Sequence, residues 1–507
     1  MFKFFSRKKS TPETDAIQPE SQDRGLKPNP HLNAKVRSGG FFSTDVSRFL
    51  QGWDSSSNTI DYYLRSELRE MRARSRKMVR SNPIGKRFIT TLKANVVGPS
   101  GVTVQAQVVR NRSAKQRELD TPANDAIEAA YADWAENHCD YFGRSTLVDL
   151  QNMAIASAGQ DGEYIFRKEY GGKYGFQLRC IDPELLDVRK NELLSNGGEI
   201  RLGVEYSANG RIVAYWFRER HRDSYDMGKS IRVLARHIIH GFIGEWPDQS
   251  RGIPWMHAGL ERAKHLEKYE EAAIVKARST ASTMAVIKTP NGDTPYTGDE
   301  YDEETGEQID EYEAGTIKDI GNREVVNLDS DYPHQMYADF VKSQMQSIAS
   351  ALGISYHSLA NDLEGVNYSS IRAGVLEDRE IFKGLQNWFI RGFVRPVYME
   401  WLGYAYLRGL ITIGNRPLSR PINDYERAHF QGRRWAWVDP QKDGAANELA
   451  VKNRLKSRSQ LMREQGDDPE SVWREIEREN TLLESLGIQP IEGASTPVQK
   501  EDQSDAT

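Results

Sequence analysis

Carboxylates are the most abundant reactive groups in this chain of 507 residues, with 73 Asp and Glu against 68 Lys and Arg. A two-metal nuclease needs only a few of them brought together in space. They gather between Thr289 and Asp319, where Asp293, Asp299, Glu300, Asp302, Glu303, Glu304, Glu307, Asp310, Glu311 and Glu313 precede the first cation, Lys318. Such a block repels itself and stays hydrated, as an exposed partner-binding segment or as a disordered insertion. A second run is basic: Arg65, Arg69, Arg72, Arg74, Arg76, Lys77, Arg80, Lys86 and Arg87. It could contact DNA, or form a solvated or subunit-contacting face. His237 and His240 raise the question of a metal pair, but three residues apart in a strand they point to opposite faces, so structural hydrogen bonding is the better expectation. Cys139 and Cys180 are too few and too far apart for a disulfide scaffold or a zinc site, and reduced buried thiols are expected. There is no Gly-x-x-x-x-Gly-Lys-Ser/Thr loop, no His-Glu-x-x-His and no Gly-x-Ser-x-Gly elbow. The chain is therefore not expected to be an enzyme, or to carry a metal or cofactor. Its formal charge of −5 also lacks the cationic excess of a tight duplex binder.

Several elements must position these groups. Apolar residues at Ile371, Val375, Phe382, Leu385, Phe389, Phe393 and Val397 fall on one helical stripe. The pattern predicts a helix capped by Ser369 or Ser370, kinked by Pro396 and running to about Trp401. Gly374, Gly384 and Gly392 within it suggest close backbone approach. A second helix is expected from near Pro333, with Tyr337, Val341, Met345, Ile348 and Leu352 on its stripe and Lys342, Ser343, Gln346 and Ser350 opposite. A third runs from Leu260 to about Met284. Between Gly162 and Phe242 the period shortens to apolar runs at Glu163–Lys168, Phe176–Ile181, Ile200–Tyr206, Arg211–Phe217 and Ile231–Ile239. Asn209-Gly210 signals a hairpin there, because both residues tolerate positive φ. A helical pattern over Asp61–Val97 is broken at Asn82-Pro83, and Asp439-Pro440 and Asp468-Pro469 open two further helices. Residues 8–40 are too polar to order themselves, and those after about Pro490 form a tail. No apolar run is long enough to span a membrane, and Met1–Lys9 lacks a signal-peptide core.

The segment Leu352-Gly353-Ile354-Ser355-Tyr356-His357 with Gly365-Val366-Asn367-Tyr368-Ser369-Ser370-Ile371-Arg372-Ala373-Gly374 resembles the signature of lambda-type phage portal proteins. So do Arg72–Arg76 with Asn82-Pro83-Ile84-Gly85 and Asn95–Gly98, the turn Gln249-Ser250-Arg251-Gly252-Ile253-Pro254-Trp255, and Lys456-Ser457-Arg458-Ser459. The resemblance covers roughly residues 60 to 488. It implies an α+β portal fold with a β-rich wing module, two stem helices, a clip, a long wing helix and a helical crown. The implied boundaries are 1–40 disordered, 41–255 wing, 256–284 first stem helix, 285–332 clip with acidic insertion, 333–353 second stem helix, 354–369 tunnel loop, 370–438 wing helix and return, 439–488 crown and 489–507 tail. Clip strands are expected near Ala285–Lys288 and Gly315–Leu328.

Such a protein forms a ring of about twelve copies at one vertex of the head, through which double-stranded DNA is packaged and ejected. It docks the large terminase subunit, capsid and scaffold proteins, and head-completion or adaptor proteins. It is expected in the virion, and in host cytoplasm during assembly. In this scheme Asn361, Asp362, Glu364, Asn367 and Tyr368 are the candidates for facing DNA, Lys318, Arg323 and Lys342 are candidate channel cations, and Asp299, Glu300, Asp302, Glu303 and Glu304 would meet clip partners. Subunit packing is the competing role for the loop and cation residues, and a disordered insertion for the acidic clip residues. A duplex presents one negative charge per roughly 1.7 Å, so a largely acidic or neutral wall would grip it weakly. The alternatives are a DNA-processing nuclease that holds substrate on the basic helix, and a head–tail adaptor.

Overall fold

The computed structural model describes residues 58–110, 119–219, 228–282, 286–288, 324–326, 336–362, 368–435, 440–465 and 469–486, all within one unit, Asn58–Thr507. The expected disorder of residues 8–40, the tail and the centre of the acidic insertion lie outside the described residues, as does the expected helix start near Pro333.

Helix α1 (Ile60–Ser81) ends where Asn82 turns extended before Pro83. The Asn82 side chain then caps α2 (Pro83–Leu92), accepting from the backbone N–H of Ile84 at 2.9 Å. Gly85 lies against the end of α1, where a Cβ would come within 2.7 Å of the Met78 backbone. Strand β1 (Thr103–Ala106) precedes α3 (Thr121–Asn137) and α4 (Leu147–Asp161). Helix α4 opens on a capping box of Thr146 and Asp149. It closes at Gly162, whose φ of +88° and contact with the Ile253 backbone leave no room for a side chain.

The chain then enters the β-rich part. Strands β2 (Glu163–Glu169) and β3 (Gln177–Ile181) are followed by β4 (Glu192–Leu193), β5 (Glu199–Arg201), β6 (Val204–Tyr206), β7 (Ile212–Arg218), β8 (Ser230–Leu234) and β9 (Ile238–Phe242). They form two antiparallel sheets, ordered β3-β2-β9 and β4-β5-β6-β7-β8. Two expected strands are each divided. Ile200–Tyr206 folds back at Leu202-Gly203, where Gly203 has a φ of +84° and packs against the Asp187 backbone. Ile231–Ile239 passes from one sheet to the other through a helical turn at Ala235–His237. The Asn209-Gly210 hairpin joins β6 to β7 as expected, with positive φ at Gly210 alone.

Helix α5 (Leu260–Ser282) leads to β10 (Val286–Lys288), which pairs antiparallel with β11 (Glu324–Val326) at the margins of the acidic insertion. Helix α6 (Tyr337–Leu352), the short α7 (Tyr356–Ala360) and α8 (Tyr368–Phe389) follow. The helix begins at Tyr368, so Ser369 and Ser370 lie inside it rather than capping it. A π-helical turn at Ile390–Val394 joins α8 to α9 (Arg395–Leu407), carrying the rod past the expected end at Trp401. Pro396 falls in the first turn of α9, where the wide turn takes up the discontinuity left by its missing N–H. Gly392 does meet a neighbour, with a Cβ 2.9 Å from the Tyr164 hydroxyl, whereas nothing lies within 4 Å of a Cβ at Gly384. The neighbour at Gly392 is a side chain, and the nearest atom to a Cβ at Gly374 is the Ser355 Cβ at 3.9 Å, so the expected close approach of another backbone is found at none of the three glycines. Hairpin β12 (Thr412–Ile413) and β13 (Arg416–Pro417) precedes β14 (Ala428–Gln431), which returns to pair with β1, and helices α10 (Pro440–Lys452), α11 (Arg458–Gln465) and α12 (Pro469–Ser485) end the described chain.

The main core brings α3, β2 and the α8–α9 rod together. Trp134 stacks on Phe176 at 5.9 Å, Trp401 meets Tyr131 edge-on at 4.9 Å, and Phe389 stacks on Phe393 at 5.1 Å. These rings are buried, and pairs of this kind add about 0.5–1.5 kcal/mol each beyond the area they bury.

Candidate functional site

Two clusters of charge are built into this frame. The first is the fully buried carboxylate of Glu163 at the start of β2. Arg251 grips it through Nε at 2.9 Å and Nη2 at 2.6 Å, and Arg72 from α1 reaches it at 2.8 Å. Nε2 of His240 lies 3.1 Å away, and the Gly252 N–H donates at 2.9 Å. Arg251 also donates to the carbonyls of Leu186, Leu202 and Pro183, so its planar fork is fully used. Burial disfavours the Glu163 anion, but Arg251 first, then Arg72 and His240, hold its carboxyl well below the usual range. Beside it, Arg76 reaches Asp161 and Asp182, both at 2.6 Å, and Arg69 reaches Glu184 at 2.7 Å. Burial works against the Arg76 guanidinium, yet these two carboxylates raise its pKa above the ordinary arginine value.

Arg72 thus belongs to the interior, and Arg69 and Arg76 are half-buried and paired with carboxylates of this chain, which takes all three out of a free nucleic-acid surface. Arg65, Lys77, Arg80, Lys86 and Arg87 are the exposed remainder of the basic run, together with Arg74, which pairs with Glu70. His237 sits 3.2 Å from the Tyr170 hydroxyl, so both histidines make structural hydrogen bonds. Of the two cysteines, Cys139 is buried and Cys180 half-buried, both as free thiols, and burial pushes each up to about 12.

The second cluster is the junction between α6 and α8. Gly353, at φ +67°, stops α6, and Ser355 starts α7 by accepting from the Ser358 N–H at 3.3 Å. The first part of the segment expected to be the tunnel loop is therefore a short helix, held from outside because five residues cannot sustain one alone. Asp378 of α8 accepts from the Ser355 N–H at 2.8 Å, the Ser355 hydroxyl at 2.7 Å and the Ser358 hydroxyl at 2.5 Å. Arg87 Nε donates to the Ser358 carbonyl at 3.1 Å. Past the helix, Asn361 adopts a left-handed φ of +56° and is exposed. The Tyr356 hydroxyl donates to Asp362 Oδ2 at 2.8 Å, while His357 Nδ1 lies 2.7 Å from the Asp362 carbonyl. Burial, reinforced by Asp362, raises the Tyr356 phenol to about 12.

The junction brings together three of the residues singled out in the sequence. Asn361 is at its exposed corner, Asp362 is half-buried, and Lys342 of α6 approaches Asp362 to 3.8 Å. Tyr368 is the first residue of α8. Glu364, Asn367, Lys318, Arg323, Asp299, Glu300, Asp302, Glu303 and Glu304 lie outside the described residues. Sequence reasoning passed over Asp378 and Ser358, and named Ser355 and Arg87 without joining them to each other's segment. One signal was available, since Asp378 sits three residues after Val375 and four before Phe382, squarely on the apolar stripe. Among the described residues no group of three or more His, Cys, Asp or Glu could hold a metal ion, and no helix is long and apolar enough to cross a membrane.

A family model described as phage portal protein, lambda family, matches residues 47–386. The chain is 30% identical over 456 residues to a "Probable portal protein" of Halomonas phage phiHAP-1, with 87% of this chain and 86% of that one covered. It is 21% identical over 492 residues to "Portal protein B" of Escherichia phage lambda, covering 87% and 89%. Similar solved structures include a chain from the virion of a native gene transfer agent particle, at 13% identity with a TM-score of 0.41. Another comes from the neck of such a particle computed with C12 symmetry, at 12% identity with the same TM-score. Each match covers 80% of this chain and 94% of the other.

Proposed function

This chain belongs to the lambda family of phage portal proteins, and from that premise we propose how its parts divide the work of passing double-stranded DNA. It is a head-vertex portal, a structural component of the phage particle whose copies assemble into the channel for packaging. The finer reading is a ring of about twelve copies in which 41–255 and 370–438 form the wing, α5 and α6 the stem, and 285–332 the clip. Residues 354–369 then form the tunnel loop and 439–488 the crown. A separate terminase, docked at the acidic clip, supplies the energy, and assembly takes place in host cytoplasm.

The observation that best supports this layout is the braced junction between α6 and α8. A segment that must meet moving DNA needs fixed ends, and Asp378, Arg87 and Tyr356 provide them from three helices. Its chemistry suits sliding. Asp362 is engaged by Tyr356 and Lys342, so each of these two charges faces its opposite, and Asn361 presents a neutral amide. Weak neutral contacts let a polyanion pass, whereas fixed unpaired cations would hold it. The nuclease reading loses ground because three arginines of the basic helix are consumed by internal carboxylates, and the family match does not favour an adaptor.

Electron microscopy of the purified full chain tests the proposal. Closed rings with a pore wide enough for a duplex, Asn361 facing that pore and no ATPase or nuclease activity are the expected results. A monomer that cleaves DNA, or rings with Asn361 outside the pore, would overturn it.

A further inference from the structure

A carboxylate on the buried stripe of a helix has to be explained by its partners, because an apolar residue there would pack without the desolvation penalty. Asp378 is 5% exposed, and its two oxygens take three hydrogen bonds, all from Ser355 and Ser358 at the start of α7. The bonds therefore join two separate helices. On its other sides α7 is held by Arg87 from α2 and, through Tyr356 and Asp362, by its own exit.

We propose that Asp378 is a positioning residue of the channel: it fixes the direction in which α7 and the exposed Asn361 leave the long helix, and so ties the DNA-facing segment to α8. This rests on the reading that the junction faces DNA. Two hydroxyls and one backbone N–H converge on a single carboxylate, and that fixes angle as well as distance, which an apolar contact would not do. Without Asp378 the start of α7 would keep its packing and lose its orientation.

The test uses assembled full-length rings carrying Asp378→Ala or Asp378→Asn, the exchange Ser355→Asp with Asp378→Ser, and Glu377→Gln as an exposed control on α8. Hydrogen exchange at residues 355–362 should rise at least about tenfold in Asp378→Ala, with no change in β2. The yield of DNA-filled heads in a complementation assay should fall by a similar factor. The exchanged pair, which again places a carboxylate opposite a hydroxyl, should recover most of both, and Glu377→Gln should alter neither. Unchanged exchange at 355–362, or raised exchange with an undiminished yield of filled heads, would overturn the proposal. If Asp378→Ala does not assemble, Asp378→Asn and the exchanged pair are read by the same criteria. Rings with Asn361 outside the pore would instead remove the functional reading, while the exchange data would still decide whether Asp378 braces α7.

Discussion

The Glu163 cluster and the α6–α8 junction both centre on a buried carboxylate, yet they are built from different donors. Around Glu163 the partners are mainly charged, the Arg251 and Arg72 guanidinium groups with the His240 ring alongside and one backbone N–H from Gly252, all inside the protein and drawn from α1, β9 and the turn before α5. Around Asp378 they are hydroxyls and a backbone N–H, a turn away from the exposed Asn361. Paired charges out of water lock the elements they join, because removing either partner strands the other. Neutral donors are less costly to separate and leave orientation as their main product. One cluster holds the β-rich body to the first helix, while the other aims a segment at the surface.

The sharpest way to break this contrast is to strand a charge. Glu163→Ala should destabilise the protein by about 3–5 kcal/mol, leaving Arg251 and Arg72 without their anion, as read by urea unfolding followed through tryptophan fluorescence. A loss no larger than that of Ser358→Ala, expected at about 1.5–3 kcal/mol because its hydroxyl donates to a carboxylate, would erase the distinction. Acid probes the Glu163 cluster in another way. Because the folded Glu163 carboxyl lies below its unfolded value of about 4.3, its contribution is complete at neutral pH and fades as the pH falls below that value. Thermal midpoints measured from pH 6 down to pH 3 should fall in the parent and fall less in Glu163→Gln. Next in size is Gly162→Ala, expected to cost about 1–3 kcal/mol from a strained φ and the Ile253 contact. It would shift β2 and with it Glu163, so exchange protection should drop in the β-rich part before it drops at α7. The smallest effect belongs to the exposed Arg74–Glu70 pair, where Arg74→Ala should change stability by under about 0.5 kcal/mol in the same urea assay.

Much of the frame was legible because it is local. The break at Asn82-Pro83, the Asn209-Gly210 hairpin and the starts of α10 and α12 each follow from adjacent residues, whereas the strands flanking the acidic insertion were expected from the family resemblance alone. The candidate site was legible only as a segment. Its brace joins Ser355 to Asp378 and Arg87 to Ser358, pairings that no short-range pattern encodes, and α7 is too short to announce itself by periodicity. Arg72 and Arg251 looked like a surface charge and a family turn residue. What they share is a carboxylate far from both in sequence, and their burial became visible only with the fold.

The π-helical turn at Ile390–Val394 works as a phase shifter. One additional residue in that turn sets everything beyond it back by about 100°, so Trp401, twelve residues after Phe389, keeps nearly the heading of Phe389, where an uninterrupted α-helix would turn it about 120° away. Deleting one residue from that turn would leave the rod helical and swing Trp401 out of its aromatic nest, uncoupling the two ends of a helix whose amino-terminal half carries Asp378.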